Sequence, residues 1–432
     1  MNLKRFGWKP MRMLLPTNDF ERWGVIACDQ YTSQPEYWEE CEKLAGGMPS
    51  ALRFILPEAY LDAPDVDERI QRIHQTMQEY LDQGVAYKQG VLQHTLPGFI
   101  LVKRQTSAGE RLGLVISVDL EKYSYIKGAK TLIRPTEETI EERIPPRLKI
   151  RRGAALETSH VMLLLDDPAC SVIEPLFEQE HTPLYSFDLM QDGGHIEGWF
   201  MDDDSYVPLI QSLEKLLGPN GDFLLAVGDG NHSLAAAKAY WEEIKKPLTD
   251  AQRMNHPARF AQVEVVNLHS EALVFEPIHR VVLQKGQDCL DYLCQRIPGA
   301  EYRVYASLEE AQKAVCSQQA PKQAVVSLLA GVPGVLSMLQ AGHRIPQGTL
   351  QPYLEAYAKE NGVRLDYIHG DDSLYALCGG DALGLFMPAM DKQELFTLVD
   401  AYGTLPKKTF SMGQARDKRY YVECKRITLE QA

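Results

Sequence analysis

The stretch "FLLAVGDGNHSLAAAKAYWEE", Phe223 to Glu243, decides how this chain is read. Five apolar residues, Phe223 to Val227, predict a buried strand, and the Ala-rich run Leu234 to Lys246 predicts a helix. The turn between them holds Gly228, Asp229, Gly230, Asn231, His232 and Ser233. Two glycines let the backbone turn tightly and let a ligand approach it closely. A helix starting near Ser233 presents unpaired amides, which attract anions such as phosphate. Asp229 could hold a magnesium ion or take a proton from a hydroxyl, and His232 could bond a phosphoryl oxygen. The plainer alternative is that Asp229, Asn231 or Ser233 caps the helix, a role worth roughly 1 kcal/mol.

Working outward, other motif classes fit poorly. A Rossmann fingerprint needs a third glycine where Ser233 stands, and a Walker loop needs Gly-Lys-Ser/Thr. The Gly-Asn-His of dinuclear metallophosphoesterases goes with an upstream Asp-x-His, and this chain has no Asp-x-His. Three further blocks carry chemistry-bearing residues. "IRPTEETIEERIPPRLKIRR" (133–152) gathers Arg134, Arg143, Arg147, Lys149, Arg151 and Arg152 in an acidic protein, with Pro145-Pro146 expected to stiffen a loop. It also reads as a solvated strap pairing with its own glutamates. "CDQYTSQPEYW" (28–38) puts Asp29 directly after an apolar strand. "PIHRVV" (277–282) puts His279 and Arg280 side by side on a strand, facing opposite ways.

The bulk numbers bound the rest. At 432 residues, two domains or more are expected. A net charge of −14 argues against nucleic acid as a partner but leaves room for small anions in a locally basic pocket. Eight scattered cysteines without a Cys-x-x-Cys pair suit a reducing cytoplasm, and the opening residues do not fit a signal peptide. The greasy span "AVVSLLAGVPGVLSML" is broken by Gly331, Pro333 and Gly334, which predicts two strands around a turn and no membrane helix. "WGVIACD" and "SALRFILP" read as strands, and Ile70, Ile73, Met77, Tyr80 and Leu81 mark an amphipathic helix beginning at Pro64-Asp65. The texture changes near residue 285. We therefore expect a mixed α/β (α+β) chain: a main domain over 1–284, a smaller α/β unit over 285–398, and a C-terminal loop and closing strand over 399–432 that packs on the main domain.

Taken in order, these blocks resemble the family known as domain of unknown function 1015. Its Pro-Tyr-Asp element is matched by Asp29. Its His-Glu-x-Thr block is matched by Pro135, Glu137 and Thr139, followed by Arg147-Leu148. Its Asp-Gly-His-His-Arg signature is matched by Asp229, Gly230 and His232, and its Pro-x-His-Arg strand by Pro277, His279 and Arg280. Pro406, Lys408 and Thr409 match a C-terminal Pro-x-Lys-Ser/Thr segment. Thr136, Asn231 and Ser233 depart from the pattern, standing where the family has His, His and Arg. More distantly the signature is similar to that of the ParB and sulfiredoxin-like superfamily, which includes kinases of free serine.

That resemblance implies a ParB/sulfiredoxin-like nucleotide site with additional α/β elements. It implies a cytoplasmic small-molecule phosphotransferase, acting on serine or a related hydroxylated metabolite, with ATP or ADP as donor and Mg2+ as cofactor. Asp29, Glu137, Asp229 and His232 are the expected catalytic residues, Asp229 also the metal ligand. Gly228, Gly230, Asn231, Ser233, Arg134, Arg147, His279 and Arg280 are the expected phosphate binders. Two other readings stay open: a nucleotide sensor or scaffold without turnover, and a phosphoserine-type phosphatase. The expected partners are the substrate and nucleotide, with no nucleic acid and no membrane, and a homodimer is compatible with all three readings.

Overall fold

The computed structural model describes residues 3–82, 90–202, 206–218, 221–316 and 322–429. The chain is mixed α/β and divides into two compact units, Met1–Val274 with Gly413–Ala432, and Phe275–Met412. The second unit thus starts ten residues before the expected boundary at 285 and keeps residues 399–412, because the strand Phe410–Met412 pairs with the first half of Phe275–Val282.

The sheet of the first unit runs in the order Ile133–Pro135, Leu225–Asp229, Met162–Leu165, Phe260–Asn267, Gly109–Asp119, Leu92–Thr106, Met11–Pro16, Cys424–Arg426, Leu156–Thr158. Leu156–Thr158 and Met162–Leu165 lie six strand spacings apart along this path. Laid flat, that is about 29 Å at roughly 4.8 Å per strand. The three residues joining them, 159–161, reach about 15 Å at most. The sheet must therefore curl until its far edge returns. Glu157 helps close it, accepting the Gln262 backbone N–H at 2.8 Å. His160 sits in this short connector, and the curl is what fixes its position.

The strand Phe260–Asn267 is buried on both faces. Ala261, Val263 and Val265 face an aliphatic core with Leu114, Ile116 and Leu163. Glu264, on the opposite face, meets a buried charge network instead. Arg419 bonds Glu264 at 3.0 Å and Glu423 at 2.7 Å, and Arg104 donates to the Gly193 and Arg416 carbonyls at 2.9 and 2.6 Å. These bonds anchor residues 413–429 in the first unit. The segment's Tyr420–Tyr421 pairs antiparallel with Val25–Ile26, and Ala27 N–H donates to the Arg419 carbonyl at 3.0 Å. The C-terminal stretch is thereby laid beside Asp29.

The second unit is a seven-stranded antiparallel sheet centred on Gln323–Leu329, Leu383–Phe386 and Phe275–Val282. Val281 and Val282 point to opposite faces and enter different apolar clusters, each covered by helices. The hairpin Gln323–Leu329/Val332–Met338 lies where a broken greasy span was expected, and among the described residues no helix is long and apolar enough to cross a membrane.

Two local expectations are corrected. "SALRFILP" is not a strand: Ser50 accepts the Leu52 N–H at 3.3 Å and starts a short 3-10 helix, Ala51–Phe54. Pro145 and Pro146 do not stiffen a loop. They occupy the first turn of the helix Ile144–Arg151, where a missing N–H costs nothing and the fixed φ is already helical.

Candidate functional site

The strand Leu225–Asp229 delivers Asp229 at its end, and the helix Asn231–Ile244 begins two residues later. Gly230 makes the turn at φ +76°, and a Cβ there would meet Val161 Cα at 3.0 Å and His160 Cδ2 at 3.3 Å. Only glycine fits this left-handed, crowded position. The bend is therefore pressed against the connector that carries His160. Asp229 Oδ1 accepts the Gly230 N–H at 2.9 Å, while Oδ2 lies 3.3 Å from the Lys418 ammonium.

His160 is 5% exposed and joins three segments. Its Nε2 is 3.5 Å from Asp29 Oδ2, and its Nδ1 is 2.6 Å from the Tyr421 hydroxyl. Burial opposes charge on this ring, but the Asp29 and Asp229 carboxylates outweigh it and raise its pKa above 6.5. Burial likewise opposes charge on Asp29, yet His160, the Gln30 amide and Lys418 hold its pKa well below the usual carboxylate range. Asp29's side chain keeps 25% exposure, so a ligand can reach it. Burial drives the Tyr421 pKa far up, and Cys28 N–H donates to its hydroxyl oxygen at 3.1 Å. Tyr421 is thus a phenol. With a neutral His160 it donates to Nδ1; with the imidazolium it accepts from Nδ1 and turns its own proton elsewhere. The Cys28 thiol, pushed to about 12 by burial and then by Asp29, is no nucleophile at neutral pH.

Cys28, His160 and Tyr421 border a cavity of about 120 Å³. Arg147, Arg151, Ser233, His160 and Tyr421 face it together with a wall of apolar side chains. Ala235 and Ala236 are small enough to let the helix Ile144–Arg151 pack across the start of the helix Asn231–Ile244, through Ile144 and Leu148. That packing brings Arg147 to the cavity, where its guanidinium pairs with Glu58.

The other expected site residues are placed as follows. Thr136 donates to the Val227 carbonyl at 2.6 Å and pins the loop carrying the half-buried Glu137 beside the end of the Asp229 strand. His232 Nε2 accepts the Ile140 N–H at 3.2 Å, so it is engaged by that same loop. Gly228 and Asn231 flank Asp229 and Gly230 in the turn, and Asn231 Oδ1 is buried without a hydrogen-bond partner. Arg134 bonds the Thr131 carbonyl at 2.9 Å and Asp222 at 2.8 Å. That puts it at the start of the Leu225–Asp229 strand, about 15 Å from the turn at 3.3 Å per residue. His279 and Arg280 belong to the second unit. His279 bonds Asp371 at 2.8 Å and accepts the Met387 N–H at 3.0 Å, and Arg280 donates to the Lys407 and Lys408 carbonyls at 3.2 and 2.9 Å.

Sequence reading missed His160, Lys418 and Tyr421. His160 had one usable signal: it directly precedes the apolar run 161–165. Lys418 and Tyr421 had none, since the buried arginine network that places them spans about 300 residues of chain.

Among the described residues no three of His, Cys, Asp and Glu gather as a metal ion would require. Asp229's two oxygens are engaged by Gly230 and by Lys418, which stands where the expected magnesium would be. The residues present do not fit a preassembled magnesium site.

No curated protein matches the sequence. Among solved structures, a conserved hypothetical protein from Pyrococcus furiosus is similar at 11% identity, covering 73% of this chain and 95% of its own, with a TM-score of 0.39. A free serine kinase in complex with AMP is similar at 10% identity, 73% and 91% coverage and a TM-score of 0.40. SbnI from Staphylococcus aureus, C-terminally truncated, gives 10%, 69% and 82%, and 0.36. The profile of the family described as "Protein of unknown function (DUF1015)" matches residues 8–330, which include Asp29, His160 and the Asp229 turn; the chain belongs to that family.

Proposed function

We propose that the first unit transfers a phosphoryl group from a nucleotide to the hydroxyl of a small metabolite. One observation carries this reading: Asp29, His160, Asp229 and Lys418, from four distant segments, interact at the start of a helix, and His160 also lines a cavity there. Phosphoryl transfer asks mainly for positioning and charge neutralisation. The amides of the turn, with the helix N-terminus behind them, receive the nucleotide's phosphates. Lys418 offsets part of their charge. Asp29 takes the hydroxyl proton as that oxygen attacks the terminal phosphorus; the bond to the bridging oxygen breaks, and the nucleotide leaves with the electron pair. His160 and Lys418 keep Asp29 ionised until then. Asp229 holds Lys418 in place. No step runs through a metal ion, and Arg134, His279 and Arg280 are not needed.

The test is incubation of the purified protein with ATP or ADP and L-serine or other hydroxylated acceptors, with and without magnesium, followed by 31P NMR. Formation of a phosphate ester that disappears in Asp29→Asn supports the reading. Nucleotide binding without turnover favours a sensor, and phosphate release from phosphoserine without nucleotide favours a phosphatase.

A further inference from the structure

The same cavity says what kind of acceptor suits it, an inference that rests on the phosphotransfer reading. At about 120 Å³ it lies below the roughly 300–1,000 Å³ of sites that enclose drug-sized ligands, so it suits an acceptor of metabolite size. Much of its lining is apolar: Phe54, Leu56, Leu61, Met77, Ile150 and Leu156. Serine would leave most of that lining facing water. Its charged lining is balanced: Arg147 pairs with Glu58, and Arg151 with Glu157. The two pairs differ, however. Glu157 is held by Lys425 at 3.2 Å and by the Gln262 N–H, so it is committed to the fold. Glu58 has 18% side-chain exposure and lies on a three-residue 3-10 helix, so Arg147 can exchange it for a ligand's acid. Arg151 adds a buried Nε–H with no hydrogen-bond partner. An uncommitted donor and an exchangeable guanidinium among apolar side chains match an acid with an apolar body.

We infer that the acceptor is a hydroxy acid with an apolar body of aromatic or branched size: the body lies against Phe54, Leu56 and Met77, the carboxylate meets Arg147 and Arg151, and the hydroxyl lies toward His160, beside which Asp29 stands. Binding is the direct test, because it needs neither nucleotide nor turnover and so fails independently of the phosphotransfer reading. Titration calorimetry compares 3-phenyllactate with L-serine on the wild-type protein and on two cavity-filling variants, Leu61→Trp and Ala154→Leu. Phenyllactate is expected to bind at least ten-fold tighter than serine, and each variant to weaken it at least ten-fold while ADP affinity stays within two-fold. Serine binding as tightly as phenyllactate overturns the inference. So does phenyllactate binding left intact in both variants, once their urea midpoints show them folded.

Discussion

Replacing Gly230 by alanine probes the contact that ties the Asp229 turn to His160. Two costs are expected. A left-handed backbone costs a residue with a Cβ roughly 1–2 kcal/mol. The new methyl would also sit 3.0 Å from the Val161 Cα, a backbone atom that cannot swing aside. Overpacking of this kind costs about 1–3 kcal/mol more. The molecule supplies its own control. Gly47 has the same φ of +76°, but nothing lies within 4 Å of its would-be Cβ. Gly47→Ala should therefore lose only the backbone part, roughly 1–2 kcal/mol, against roughly 2–5 kcal/mol for Gly230→Ala. All five tryptophans, at 8, 23, 38, 199 and 241, lie in the first unit, so intrinsic fluorescence during urea unfolding reports on that unit. The shift in midpoint multiplied by the urea slope gives each ΔΔG. Equal costs for the two substitutions, within about 0.5 kcal/mol, would refute the close packing of the turn on residues 160–161.

Because the pKa of His160 is raised above 6.5 in the fold, its charge stabilises below that value and the contribution fades as pH rises through the raised one. His160→Gln should therefore lose more stability at pH 5.5 than at pH 8.5, measured by urea midpoints; an unchanged gap would be the contrary result. Asp29 is the mirror case: its lowered pKa gives stability that is present above 3.8 and lost as pH falls through the lower folded value, so the Asp29→Asn deficit should shrink on acidification below pH 4. Lys418→Met leaves Asp229 without its ammonium partner and should cost about 2–3 kcal/mol, with Asp229→Asn in the same chain recovering part of it, so that a double-mutant cycle shows a coupling above about 1 kcal/mol. Arg280→Met should leave ADP affinity within two-fold, since that guanidinium is occupied by carbonyls of the second unit; a ten-fold loss measured by calorimetry would place it in the site.

Much of the fold was legible because local signals were strong. The strand before Asp229, the helix after it, the amphipathic helix Val66–Leu81 and the broken hairpin near residue 331 each follow from periodicity and turn residues. Short apolar runs such as 50–57 carry no period long enough to separate strand from 3-10 helix, and the capping hydroxyl of Ser50 decided it. The candidate site was only partly readable. Asp29 and Asp229 stand out because each follows an apolar strand. His160 hides because a histidine before a buried strand looks like packing, and its role depends on a curl of the sheet that no local pattern encodes. Conversely, Arg134 and Arg280 look like phosphate clamps in sequence, but the folded chain gives their guanidiniums to Asp222 and to backbone carbonyls.

The most direct measurement is a crystal structure of the protein grown with millimolar ADP. The account predicts phosphate density over the amides of residues 231–233, with Lys418 in contact and Asp29 facing the terminal phosphate. Phosphates bound elsewhere, with the Asp229 turn covered by protein side chains, would contradict it.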